Sequence, residues 1–240
     1  MEIQDGFIVG IFNYCDRWCE RCALTSHCEL FADQAEIEAS CDPNLKTVAD
    51  APPLPEDVSP PAPAWMPELI AEANDACRIP PSREEWERMR PRVPSEHQPI
   101  NARAKEYAMR TFQWLTATEG TSRGVTGDAR DVITWFHMMI AAKVNRALTR
   151  WPDVDSSEDE RDNDGSAKVA LLGIDQSHGA WLELVERGLV GRNEADPFIG
   201  DLVWLGDALE RVRPHARAFV RPAFDEPEAL ATFLAGERGR

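Results

Sequence analysis

The segment Asp128-Ala-Arg-Asp-Val-Ile-Thr-Trp-Phe-His-Met-Met-Ile-Ala-Ala-Lys-Val-Asn-Arg-Ala-Leu-Thr-Arg150 decides the fold class, because its apolar residues return every three or four positions rather than every two. Wound at about 100° per residue, it gathers Val132, Phe136, Met139, Ile140, Val144 and Ala147 on one face, with Lys143 near the middle of that face. Thr126 or Asp128 supplies its N-cap. Such a stripe needs partner surfaces, and the segments 101–116, 166–187 and 197–213 offer them. They open at Asn101, at Asp164 or Ser166, and at Asp196 with Pro197 behind it. The chain is therefore expected to be mainly α: a four-helix up-and-down bundle with additional short helices.

Outward from these segments the pattern weakens. Residues 64–78 read as a helix with Pro67 in its first turn, and Ser82-Arg-Glu-Glu85 is a capping box for a second, ending before Pro91 and Pro94. Pro214 ends or kinks the last long helix, a short helix is expected over 228–234, and the tail 236–240 should fray. Between 40 and 63 the composition shifts to Pro, Asp, Ser and Ala, as in Asp50-Ala-Pro-Pro-Leu-Pro, which favours an extended linker or surface strap. The division is a cysteine-rich head at 1–39, the strap at 40–63, a helical domain at 64–235, and the tail. Only the apolar run Phe7 to Phe12 leans towards β structure.

Charge narrows the function. With 42 Asp plus Glu against 26 Lys plus Arg, the net charge is -16, so the long-range field repels nucleic acid and anionic membranes. Hydrophobic residues at 43% and eight Trp are enough to build a core, so the chain is not a disordered one. The first dozen residues carry no basic n-region and no small-residue cleavage site, and their apolar run is too short to span a bilayer. A cytoplasmic, reducing location is the expectation, and there clustered thiols are metal ligands before they are disulfides.

Such a cluster is present. Cys15-Asp-Arg-Trp-Cys19-Glu-Arg-Cys22-Ala-Leu-Thr-Ser-His27-Cys28 places four of the six cysteines in one loop, spaced C-x3-C-x2-C-x5-C. Four thiolates on one short loop can wrap a [4Fe-4S] cluster or a tetrahedral zinc. Structural zinc sites usually draw paired knuckles from separated parts of a chain, so continuous wrapping points to the cluster, with zinc the alternative and empty reduced thiols the third reading. Cys19, Cys22 and His27 begin like a zinc knuckle, but Ala32 stands where the next ligand belongs, so His27 is read as a neighbour. Tyr14, Trp18 and Phe31 are expected to shield the centre. Cys41 and Cys77 stand alone and are read as small hydrophobes.

Parts of this spacing resemble known cluster loops. Cys19-x2-Cys22-x5-Cys28 resembles the C-terminal part of the cluster loop in endonuclease III type DNA glycosylases, but their Gly-rich helix-hairpin-helix is missing and the charge opposes DNA. Cys15-x3-Cys19-x2-Cys22 resembles the radical SAM triplet. Arg21 stands where that family places an aromatic residue, the strands of its barrel are lacking, and Cys28 occupies the iron that SAM needs.

Within the helices, His178 falls near the centre of the stripe Ala167, Leu171, Ile174, Trp181 and Val185, with Asp175 one turn earlier. At a rise of about 1.5 Å per residue, His137 and His178 reach similar heights if the two helices are antiparallel neighbours. With Asp175 they form a fragment of a carboxylate-bridged metal site, and Glu106 is the only other inward acid. A core histidine with satisfied hydrogen bonds is the plainer reading, as is a snorkelling Lys143. Glu160-x-Asp162-x-Asp164-Gly165 starts like a calcium loop, but Leu171 holds the position of the bidentate acid, so 153–165 is expected to be a solvated acidic loop. The function expected is that of a [4Fe-4S] accessory protein in electron transfer or redox sensing, with another protein as partner and neither nucleic acid nor membrane. The alternatives are a zinc-stabilised interaction module and an enzyme using His137, Lys143, Asp175 and His178.

Overall fold

The computed structural model describes residues 1–40, 82–119, 128–151 and 156–237. The strap, the helix over 64–78, Cys41 and Cys77 lie outside the described residues. The protein is mainly helical. A hairpin of β1 (Ile3–Gln4) and β2 (Phe7–Ile8) opens the chain, pairing Ile3 with Ile8 and Gln4 with Phe7. Its turn is Asp5-Gly6, with φ of 51° and 87°, the left-handed pair that a tight hairpin of the right twist requires. The helices are α1 (Glu29–Ser40), α2 (Arg83–Met89), α3 (Gln98–Ala117), α4 (Asp128–Leu148), α5 (Ser156–Glu186), α6 (Arg192–Val212) and α7 (Pro227–Glu237).

Contacts divide the chain into two compact units, Met1–Ala32 with Pro91–Arg240, and Asp33–Arg90. The cysteine segment falls in the same unit as the long helices. In the second unit α2 starts on its capping box, with Glu85 N donating to Ser82 Oγ at 3.2 Å and Ser82 N donating to Glu85 Oε2 at 2.8 Å.

The long helices α3 to α6 share one core: α4 packs on α3 and α5, and α6 packs on α3 and α5. At its centre Trp181 stacks on Phe198 (centroids 4.4 Å, 7°), meets Trp114 edge-on at 4.7 Å, and donates from Nε1 to Tyr107 Oη at 3.4 Å. Burying aromatics of this size is the largest single contribution side chains make to a core, and truncation to Ala costs about 3–5 kcal/mol.

Several expectations are corrected. The buried face of α4 runs through Ile133, Phe136, His137, Ile140, Val144 and Ala147, rotated from the expected one, so Val132 and Met139 are half-buried and Lys143 stands at the edge of the face. The α5 face keeps Ala167, Leu171, Ile174 and Trp181 buried as expected and extends to Ser166, Ala170, Ser177 and Leu184, while Val185 is half-buried and His178 sits at the margin. Glu106 is exposed rather than inward. The acidic stretch is helix, with α5 beginning at Ser156. Acidic residues favour the positive end of a helix dipole. Asp162 also accepts from both Nε and Nη2 of Arg146 at 2.8 Å. Pro197, expected at the start of α6, lies inside it, and the added turn is held by fully buried Ala195.

A satellite core lies beside the first. Ile8, Ile11, Leu24 and Ala223 are buried there, and Phe12, Cys22, Cys28, Phe224 and Leu230 pack around them. The cysteine loop thus shares its apolar floor with the segment that leads into α7. No helix among the described residues is long and apolar enough to cross a membrane.

Candidate metal centre

The loop from Gly10 to Glu29 is built from short 3-10 turns. Gly10, at φ 71°, starts the turn Ile11–Asn13 and lets the chain reverse ahead of Cys15. The turns Cys19–Arg21 and Thr25–His27 each end on a cysteine in extended conformation, Cys22 and Cys28, whose amides donate back to Cys19 O at 3.1 Å and Thr25 O at 3.2 Å. This repeat fixes where each sulfur leaves the backbone. Arg17, at φ 58°, provides the remaining reversal.

All four cysteines border one pocket. Cys15, Cys19, Cys22 and Cys28 line a cavity of about 20 Å³, floored by Ile11, Phe12 and Phe224 and walled by Trp18 and Phe31. All four are free thiols and half-buried. Burial pushes the Cys15 thiol above its ordinary range, opposed by the Arg17 amide hydrogen-bonded to the sulfur. Burial and the neighbouring Cys15, Cys22 and Cys28 push Cys19 up as well, so the other three sulfurs lie within electrostatic reach of it. Leu24 N donates to Cys22 Sγ at 3.4 Å. Amides aimed at sulfur favour the thiolate form that a metal requires.

The loop is anchored on α4. Trp18 stacks on Trp135 (5.2 Å, 12°) and Trp135 Nε1 donates to Asp16 O at 2.8 Å. Arg21 covers the outer face of Trp18 at 3.9 Å and pairs with Asp128 and Asp131 at 3.1 and 3.3 Å. Lys143 Nζ donates to Asn13 O at 3.0 Å, two residues before Cys15.

The chain matches no family model, no curated protein and no solved structure.

The aromatic and histidine neighbours are placed differently from one another. Trp18 and Phe31 wall the pocket, whereas Tyr14 does not line it and instead packs edge-on against Phe219 at 4.8 Å. His27 does not line it either; its Nδ1 lies 3.4 Å from Gly6 O and its ring meets Phe233 at 5.0 Å. Among the described residues no group of three or more His, Cys, Asp or Glu is gathered closely enough to hold one metal ion. A single zinc, with Zn–S near 2.3 Å, needs sulfurs about 3.8 Å apart.

The weaker candidates have separate engagements. His137 Nδ1 lies 2.7 Å from Thr134 O, so that nitrogen carries the proton and Nε2 is left buried and bare. Phe112 stacks over its ring at 6.3 Å. Asp175 is exposed and receives Nη1 and Nη2 of Arg217 at 2.5 and 3.2 Å, which makes it one partner of a surface ion pair. The buried ionic cluster of the helical core escaped sequence reasoning. Asp201, 4% exposed, accepts from Arg103 Nε at 2.9 Å and from Arg110 Nη2. An acid in the apolar stripe of Phe198, Leu202 and Leu205 was its signal.

Proposed function

We propose that Cys15, Cys19, Cys22 and Cys28 bind a [4Fe-4S] cluster, and that the protein is a cytoplasmic accessory that uses it for electron transfer or redox sensing with another protein. The observation that carries this reading is the single pocket lined by all four thiols and walled by apolar and aromatic side chains. Continuous wrapping by one short loop, C-x3-C-x2-C-x5-C, favours a polynuclear centre over one zinc ion, whose structural sites usually draw paired knuckles from separated parts of a chain. When bound, such a cluster supplies one-electron chemistry at a potential set by charge, hydrogen bonds to sulfur and solvent access. The Arg17 and Leu24 amides serve as those hydrogen bonds, and Trp18, Phe31 and Phe224 limit water. We read the four long helices as an up-and-down bundle that acts as a rigid base, supported by the cyclic packing of α3, α4, α5 and α6. Trp135 and Lys143 tie the loop to α4, one of the helices of that base.

Anaerobic purification followed by visible absorption and analysis of iron, sulfide and zinc tests the reading. A brown protein with iron and sulfide in equal amounts is expected, and Cys15→Ser should lose most of both. A colourless protein with one equivalent of zinc would replace the cluster by a zinc-stabilised interaction module. Metal content unchanged in Cys15→Ser would overturn the ligand set.

A further inference from the structure

Lys143 is half-buried, at the margin of the α4 core face, and its ammonium is directed at the carbonyl of Asn13 beside the cysteine loop. The charged and titratable groups within electrostatic reach of it are the guanidiniums of Arg146 and Arg17, the carboxylate of Asp162 and the thiol of Cys15. Asp162 is already occupied, held by both Nε and Nη2 of Arg146 at 2.8 Å. Among the described residues no carboxylate forms an ion pair with Lys143. Burial and the Arg146 charge accordingly push the lysine below its ordinary range. A half-buried ammonium beside two cations is unfavourable unless a countercharge arrives. The cysteine site provides one on loading, because four thiolates carry more negative charge than a zinc ion or an oxidised cubane core carries positive.

We infer that Lys143 is the counter-ion of the loaded cysteine site, a positioning residue whose ammonium, held on Asn13 O two residues before Cys15, offsets the negative charge of the thiolate-bound centre and raises its reduction potential. The inference rests on the four-cysteine metal reading. It accounts for a lysine at the margin of the core face, where an apolar side chain would extend that face, and for its hydrogen bond to the loop.

The test compares the full-length wild type with Lys143→Met, Lys143→Gln and Lys143→Arg, all purified anaerobically, with helicity checked by circular dichroism. Met removes charge and donor, Gln keeps a donor to Asn13 O without the charge, and Arg keeps the charge. Potentiometric titration should show at least a tenfold loss in the reduction equilibrium for both neutral variants, about 59 mV for one electron, with Lys143→Arg near wild type. If the loaded metal is zinc, competition with a chelator at fixed pH should show both neutral variants binding about tenfold more weakly. A wild-type value in Lys143→Gln overturns the inference, since the hydrogen bond alone then accounts for the residue, and so does a shift in Lys143→Arg as large as that in Lys143→Met. Should Lys143→Met not fold, Lys143→Gln decides alone. A wild type that takes up no metal removes the reading beneath it, whereas a loaded wild type with unmoved neutral variants removes this inference only.

Discussion

At Gly165 two opposed effects on one residue can be weighed. Replacing a glycine inside an exposed helix by alanine gains about 1 kcal/mol from propensity. Here an added Cβ would stand 2.3 Å from Tyr14 Cε1, 2.5 Å from Tyr14 Cδ1 and 2.8 Å from Phe219 Cζ. Neither ring retreats freely, because the two pack against each other at 4.8 Å and Tyr14 precedes Cys15 in the chain. Overpacking of this kind costs about 1–3 kcal/mol and wins over propensity. Gly165→Ala should therefore lower the free energy of urea unfolding by about 1–2 kcal/mol. Adding Tyr14→Leu should recover part of the loss in a double-mutant cycle, and purely additive effects would show that Tyr14 is not the contact that matters. Trp135→Phe poses a milder question, since the ring on Trp18 survives and only the donor to Asp16 O is removed. A loss of about 1 kcal/mol is expected, together with faster metal release to a chelator. Release at the wild-type rate would show that the Trp135 bond does not hold the loop.

Among the elements, the segment leading into α7 carries a pH dependence whose sign can be worked out. The Arg221 guanidinium, donating to Asp225 at 2.8 and 3.1 Å, holds that carboxyl below its ordinary range. A depressed folded value means that its stabilisation is complete above the unfolded value near 3.9 and is lost as pH falls through the lower folded one. Glu226 behaves likewise through its hydrogen bond from the Met1 amino group at 3.0 Å. Wild-type Tm should therefore fall more steeply than that of Arg221→Gln as pH drops below about 4. Parallel curves would assign the acid sensitivity elsewhere. Element by element, the sequence was legible where apolar spacing is strong, as in α4, and less so where charge decides. The acidic run at the start of α5 reads as a loop by composition, yet the dipole, Arg146 and the close fit of Tyr14 on Gly165 make it helical. Rotation of the α4 face is a smaller discrepancy with a larger consequence. It moves Lys143 from the middle of the core to its margin, where it reaches the loop.

For the whole molecule, the four cysteines were legible as one group because their spacing is local, whereas their seat was not. Trp135, Lys143, Phe224 and Asp128 lie more than a hundred residues along the chain from the loop residues they meet, and no local pattern announces a docking surface. Two cores of unequal independence follow from that arrangement. The core of α3 to α6 is filled by Tyr107, Phe136, Trp181, Leu202 and their neighbours, and it meets the cysteine pocket through Trp18, which packs on Phe136 and Trp135, and through the Trp135 bond to Asp16 O. The satellite core contains Cys22 and Cys28 among its own packing residues, so under the proposed function it is the part that a bound metal would support directly. Removing the metal anaerobically with a chelator should thus leave far-UV helicity largely intact while residues 10–30 and the segment 219–237 become open to protease. Reloading should restore protection in both segments together, since they share Ile11, Leu24 and Ala223 as one floor. Loss of most helicity on chelation would instead mean that the two cores unfold as one, with the cysteine loop as a folding element of the whole chain and not as a site carried by a stable base.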